Sequence, residues 1–225
     1  AKSHLLFKWL DDVIRDERVL SPIKQLIGPN ILCWNTIFWI KDAGSESFVS
    51  WHQDNTYWGL SSDKVITAWL ALSPAQTENG CMRVMPGTHR GESLTHEDRY
   101  HTDNMLTRGQ EITRGVDDAH AVHMPLMPGQ MSIHNYRLSH ASGPNSGVDR
   151  RIGVSMHFMP ADTKQIVGDW DSAALVSGED KFQAFEHTPR PTRDFDPAIM
   201  AFQVKASDAV SQILYNGATT NTAKL

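Results

Sequence analysis

The segment Trp51-His52-Gln53-Asp54 sets an imidazole and a carboxylate two residues apart at the close of an apolar run. In a strand, residues i and i+2 share a face, so both side chains could reach one ion. Two imidazoles and one carboxylate on one face of an octahedron form the ligand set of non-haem Fe(II) oxygenases. That set leaves coordination positions open for co-substrate and oxygen. The pair alone is not rare. With 11 His and many Asp among 225 residues, roughly one His-x-Asp triplet is expected by chance. Three occur: His52/Asp54, His96/Asp98 and His101/Asp103. The last two lie in the polar stretch THEDRYHTDN, which lacks strand alternation, and read as solvated loop residues. His52/Asp54 instead closes an apolar strand and precedes Asn55-Thr56-Tyr57-Trp58, a run suited to a pocket wall.

A third ligand must come from elsewhere, and the segment 128–145 offers His134 and His140. Arg151 follows and opens the next apolar strand. A guanidinium inside a β-structure is costly to bury without an anion, and a carboxylate met in bidentate fashion satisfies it. That carboxylate belongs either to a ligand or to the protein, with Asp149 or Glu78 as candidates.

These groups need elements to hold them. Residues 4–16 have apolar side chains at helical spacing, and 19–27 form a second short helical pattern stopped by Gly28-Pro29. Thereafter β-branched and aromatic runs predict strands at 31–40, 48–52, 64–73, 81–85, 121–124, 130–135 and 151–159. Residues 88–118 are polar without sustained periodicity and read as a long loop or insertion, a feature often functional. The stretch 161–200 reads as irregular, and 204–214 as a terminal helix. Helices followed by many short strands and Pro-Gly turns predict a sandwich or barrel with flanking helices. We expect one domain over residues 1–225, with a helical N-terminal region (1–28), a β core at about 31–160 and an irregular C-terminal region (161–225). The chain begins Ala1-Lys2-Ser3 and enters a helical pattern at once, which suggests a truncated N-terminus.

Bulk properties narrow the partners. A net charge of −5 gives no electrostatic reason to expect nucleic acid or an anionic membrane. No apolar run approaches the roughly 20 residues that span a bilayer, and no signal peptide is visible. Cys33 and Cys81 sit in apolar strands and read as reduced core residues, as in a cytoplasmic protein. The sequence has no signal for oligomeric state.

Taken together, His52-Gln53-Asp54, Thr67-Ala68-Trp69, Glu78-Asn79-Gly80-Cys81-Met82, Pro86-Gly87-Thr88-His89 and His140-Ala141-Ser142-Gly143-Pro144-Asn145 with Arg151 resemble the phytanoyl-CoA dioxygenase family in order and spacing. The resemblance runs from about Gly28 to Met159. It implies a mainly β fold, the double-stranded β-helix or cupin-like jelly roll, with flanking α-helices. It implies Fe(II) at His52, Asp54 and His140, and 2-oxoglutarate held by Arg151 and Ser142. Trp69, Gln53 and Asn35 match positions that line the co-substrate pocket in relatives. O2 is then the second co-substrate. The products are succinate, CO2 and a hydroxylated small molecule. A carboxylate at 54 argues for hydroxylation, because halogenating relatives have a small residue there. Tyr57, Trp58 and His134 are the candidates for substrate contact, and His89 reads as structural. The CoA-ester substrate of the name-giving member is not implied, since no basic cluster suits a CoA pyrophosphate and a fold does not assign a substrate. Two alternatives remain: a non-catalytic cupin-like ligand-binding protein, and a zinc hydrolase with the same three ligands. Arg151 has no task in the second.

Overall fold

The computed structural model of the chain describes residues 1–219. It opens with a 3-10 turn at Ser3–Leu5 and helix α1 (Lys8–Val13). The single helix expected over 4–16 is broken at Phe7, whose extended backbone (φ −117°, ψ 113°) starts a new helix. Helix α2 (Glu17–Ile27) is capped by Asp16, whose carboxylate accepts from the Arg18 backbone N–H at 2.8 Å. This bond satisfies an amide that the first turn leaves unpaired. The β-structure follows: β1 (Ile31–Lys41), β2 (Val49–His52), the one-turn helix α3 (Asn55–Trp58), β3 (Ile66–Ala71) and β4 (Met82–Val84). Next come β5 (His96–Asp98), β6 (Gln110–Ile112), β7 (Val122–His123), β8 (Met131–Asn135), β9 (His140–Ser142) and β10 (Arg151–Pro160). The chain ends in β11 (Ser172–Ser177), β12 (Glu186–His187) and helix α4 (Met200–Leu214).

One sheet has the order β12-β11-β1-β10-β3-β8, a second β2-β9-β4-β7, and β5-β6 form a separate hairpin. The pairings β1–β11, β2–β9, β4–β9, β4–β7 and β5–β6 are antiparallel, and β11–β12 is parallel. The fold is mainly β, a double-stranded β-helix with flanking helices, as the sequence leads one to expect.

The chain divides into two compact units interleaved along its length. The first comprises Ala1–Ile37, Gly59–Ala68 and Ser155–Ile213. Leu5, Leu10, Ile14, Leu20 and Ile23 of its helical segment are buried, as are Ile31 to Trp34 of β1 and Ala206 and Val210 of α4. Lys2 is also buried there. Its Nζ donates to the Trp34 and Ser172 carbonyls and lies 3.4 Å from Asp171, which also accepts from the Trp34 indole. The second unit comprises Phe38–Trp58, Trp69–Val154 and the residues from Leu214. Its core includes Trp69, Ala71, Ala75 and Cys81. Both cysteines are free and buried.

Two expectations need correction. Residues 88–118 are not a plain loop, for β5 and β6 form a hairpin there with His96 opposite Ile112. Hydrogen bonds from Asn104 Nδ2 to Ser50 Oγ (2.8 Å) and from that hydroxyl to the Gln110 carbonyl tie the segment to β2. Strands of three residues are too short to show alternation. Likewise 161–200 contains β11 and β12. The buried portion of β11 is Ser172-Ala173-Ala174, small residues with little strand propensity. Helix α4 begins at Met200 rather than 204.

Candidate metal centre and co-substrate site

The register of the four-stranded sheet brings the candidate metal ligands together. Strand β9 lies between β2 and β4, and His140 is paired with His52 on one side and with Val84 on the other. Directly opposed residues on antiparallel strands project from the same face about 5 Å apart, and the two imidazole centroids are 4.1 Å apart. Asp54 arrives by another route than strand alternation, because β2 ends at His52. The Tyr136 carbonyl accepts from the Asp54 N–H (2.9 Å) and the Asn55 N–H (3.2 Å), while the Asp54 carbonyl accepts from Tyr57 N–H to begin α3. That turn brings Asp54 Oδ1 to 3.4 Å from His52 Nε2. One ligand atom from each of His52, Asp54 and His140 lies within 4.8 Å of the other two.

The hydrogen bonds fix which nitrogen each imidazole presents. His52 Nδ1 faces the Ser50 carbonyl at 2.9 Å, and His140 Nδ1 faces the Leu138 carbonyl at 2.9 Å. A carbonyl only accepts, so each Nδ1 holds the proton and each Nε2 keeps a free lone pair for a metal. Burial is the main cause that lowers both pKa values to about 4, with repulsion between the rings adding at His140. Both rings are therefore neutral at neutral pH, the state that metal ligation requires. The short His52–Asp54 approach is thus two converging donors rather than an ion pair. Two neutral imidazoles and one carboxylate fit a divalent first-row metal such as Fe(II).

Around this centre the other candidates take different places. His134 is buried on β8, with its ring centroid 5.0 Å from that of His140. Trp58 is buried with its ring 6.1 Å from Tyr136. Tyr57 is half-buried between the His96 ring (5.6 Å, edge-on) and the Arg108 guanidinium (5.1 Å). Gln53 is fully buried, but its amide is committed to backbone: Oε1 accepts from Leu94 N–H (2.7 Å) and Nε2 donates to the Arg137 carbonyl (2.6 Å). Asn35 belongs to the first unit, where its Oδ1 accepts from the Lys2 and Thr36 N–H groups. The Pro86-Gly87-Thr88-His89 turn braces the residue before His140, since Thr88 Oγ1 accepts from Ser139 N–H at 2.9 Å.

His96 is not the solvated loop residue its surroundings in sequence suggest. Its Nε2 accepts from the Gln53 N–H at 2.9 Å, between the two ligands of the His-x-Asp pair, and its Nδ1 faces the Leu94 carbonyl at 2.8 Å. Burial lowers its pKa to about 4, so Nε2 stays an acceptor. No local pattern marks this role, which depends on the fold of 88–118 over β2.

Of the remaining co-substrate candidates, Ser142 closes β9 and Arg151 opens β10. Ser142 shares the face of His140 at i+2. Arg151 is only 3% exposed, yet its Nε has no hydrogen-bond partner. Neither Asp149 nor Glu78 pairs with it, and burial lowers its pKa to about 10. Its guanidinium stacks on the Trp69 indole at 5.4 Å. Trp69 can lie there because residue 153 is glycine. A Cβ at that position would sit 2.0 Å from the Trp69 ring. A second buried cation, Lys41 at the end of β1, carries no signal in the sequence that points to this site. Its Nζ donates to Ser142 Oγ at 2.7 Å and to the Gly143 carbonyl.

The jelly roll thus converges two histidines and one carboxylate that could hold one metal ion, and Arg151, at the start of the next strand in sequence, is a buried guanidinium with no carboxylate partner among the described residues. The comparisons with known proteins give the family. The phytanoyl-CoA dioxygenase (PhyH) family model matches residues 3–153, and the chain belongs to that family. It is similar to the "Probable alpha-ketoglutarate-dependent hypophosphite dioxygenase" of Stutzerimonas stutzeri, at 28% identity over 193 residues, covering 78% of this chain and 63% of that protein. It is also similar to the peroxisomal phytanoyl-CoA dioxygenase of Homo sapiens, at 29% identity over 152 residues, covering 66% of this chain and 45% of the human protein. The chain thus spans less than two thirds of the length of either relative. Among solved structures, the apo form of the non-heme monooxygenase ThoJ matches with a TM-score of 0.85 and 33% identity, over 96% of this chain and 78% of that one.

Proposed function

We propose that this chain is an Fe(II)- and 2-oxoglutarate-dependent dioxygenase that hydroxylates a small molecule and releases succinate and CO2. The observation that carries this reading is Arg151, a buried cation that finds no protein anion among the described residues, on the strand next in sequence to the metal-ligating β9. A zinc hydrolase would leave that cation unanswered, whereas the distal carboxylate of a 2-oxo dicarboxylate would answer it.

Bound iron supplies what no side chain can: activation of O2 coupled to oxidative decarboxylation of the co-substrate. His52 and His140 hold it through Nε2, and Asp54 supplies the single negative ligand. Arg151 and Ser142 hold the distal carboxylate of 2-oxoglutarate, and the Trp69 indole covers the guanidinium face and keeps water from it. Gln53 takes a supporting place, because its amide oxygen already accepts a backbone N–H group; Asn35 matches the family pattern by its position in sequence, and its amide oxygen accepts from the Lys2 and Thr36 N–H groups within the first unit. His134 beside His140, with Tyr57 and Trp58, faces the substrate. Atoms balance as 2-oxoglutarate plus O2 plus substrate giving succinate, CO2 and the hydroxylated product. Among the described residues no helix is long and apolar enough to cross a membrane, and the two buried free thiols suit a cytoplasmic setting.

An anaerobic titration tests the reading. Fe(II) followed by 2-oxoglutarate should develop a visible metal-to-ligand charge-transfer band, and His140→Ala should abolish it. A featureless spectrum from the intact protein rejects the dioxygenase assignment. A band without succinate formation across a panel of amines, amino acids, phosphonates and acyl thioesters leaves the binding-protein alternative.

A further inference from the structure

Lys41 closes β1 and is fully buried. Its ammonium donates to Ser142 Oγ (2.7 Å) and the Gly143 carbonyl, with the Ser142 carbonyl at 3.4 Å. Among the described residues none of its partners is a carboxylate. The titratable groups that bear on it are Arg151 and Arg83, both cations, and the Cys81 thiol. Burial first, and Arg151 second, press its pKa down to about 7. Two buried cations that repel each other, neither with a protein anion, call for an external one.

The contact also settles the chemistry of Ser142. A hydroxyl has one proton and two lone pairs. In its charged form Lys41 can only donate, so it occupies a lone pair and leaves the hydroxyl proton to be given elsewhere. The surroundings keep this arrangement in place. Gly80, at φ +74°, packs so closely on the turn that a Cβ there would lie 2.3 Å from the Gly143 carbonyl oxygen, the group that Lys41 grips. Asn145 Nδ2 donates to the Lys41 and Asp149 carbonyls, tying the end of β1 to the approach to β10.

We infer that Lys41 is a positioning residue for the co-substrate: its ammonium makes the Ser142 hydroxyl a donor and, with Arg151, renders the distal carboxylate site dicationic. The inference rests on the dioxygenase reading above. It predicts that Lys41 discriminates a dicarboxylate 2-oxo acid from a monocarboxylate one without touching the metal ligands.

The test uses Lys41→Met, Ser142→Ala and the double variant in the full chain. Binding of 2-oxoglutarate and of pyruvate, which lacks the distal carboxylate, is measured by calorimetry on anaerobic Fe(II)-loaded protein. The melting midpoint of the metal-free protein reports the fold. Lys41→Met should weaken 2-oxoglutarate at least tenfold, leave pyruvate within about twofold, and leave the midpoint unchanged or higher. The double variant should bind about as weakly as the weaker single one, because coupled residues are not additive. Binding of 2-oxoglutarate by Lys41→Met within about threefold of the intact protein overturns the inference, as does an equal loss for pyruvate. Should the variant fail to fold, the intact protein decides. Binding at pH 7.5 in buffers of different ionisation enthalpy should reveal proton uptake with 2-oxoglutarate, and zero uptake overturns the proposal. If the intact protein binds no 2-oxoglutarate, it is the dioxygenase reading that has failed.

Discussion

Arg151→Met separates a residue kept for a ligand from one kept for the fold. Arg151 is 3% exposed, and its pKa falls from the ordinary guanidinium range to about 10, chiefly through burial. At neutral pH that fall corresponds to roughly 3 kcal/mol of unfavourable charge burial in the ligand-free protein. The stacking on Trp69 at 5.4 Å returns about 1–2 kcal/mol. Methionine keeps most of the aliphatic stem and removes the charge. The ligand-free variant should therefore be more stable by about 1–2 kcal/mol, a rise of ~2–8 °C in Tm for a chain of this size. The same substitution removes a charge-assisted, buried contact to the co-substrate, a loss of about 2–5 kcal/mol, or at least ~30-fold in Kd. Differential scanning calorimetry of metal-free protein and anaerobic titration of 2-oxoglutarate measure the two effects. A variant that melts several degrees lower would mean that Arg151 serves the fold, and unchanged 2-oxoglutarate binding would remove its role in the site.

Other expectations are independent of that one. Gly153→Ala puts a methyl group 2.0 Å from the Trp69 ring, so it should lower stability by about 1–3 kcal/mol and weaken 2-oxoglutarate; a wild-type melting curve would contradict the close approach. His96→Phe removes the acceptor for the Gln53 N–H and should cost ~10–100-fold in Ni(II) or Fe(II) affinity with the fold retained; unchanged metal affinity would return His96 to a surface role. His4 is buried with its pKa lowered to about 3, mainly by burial. The unfolded chain takes up that proton below 6.5 while the folded one does not, so this contribution is complete above pH 6.5 and is lost as pH falls towards 3. The loss is on the order of 4 kcal/mol, and His4→Gln should flatten stability across that window in acid-denaturation curves; an unaltered pH slope would refute it.

The convergence of His52, Asp54 and His140 was legible for a reason only partly correct. Strand alternation suggested that His52 and Asp54 share a face, but β2 stops at His52 and a turn pinned to the Tyr136 carbonyl delivers Asp54. Spacing alone could not separate His52/Asp54 from His96/Asp98. What separates them is long-range pairing: His52 lies opposite His140 on β9, while His96 lies opposite Ile112 in a hairpin. Strands such as β5, β6 and β9 escape notice because three residues give no period to read. The long strands β1 and β10 show in the sequence because each is rich in apolar residues over ten or more positions.

Arg151 and Lys41 differ in the same way. Arg151 opens an apolar strand, so its burial, and the need for an anion, can be argued from the sequence. Lys41 ends an apolar strand and precedes Asp42-Ala43-Gly44, the usual setting of a solvated strand terminus with a ready acidic neighbour. Asp42 is instead engaged by Arg150 at the surface, and the turn that follows β9 closes over the lysine, which ends with neutral acceptors and a cationic neighbour. A buried charge is visible in sequence when its own strand buries it, and invisible when a distant turn does. The proposed co-substrate site draws on one of each, so the half that comes from the turn, Lys41 acting through Ser142, is where substitution is most informative.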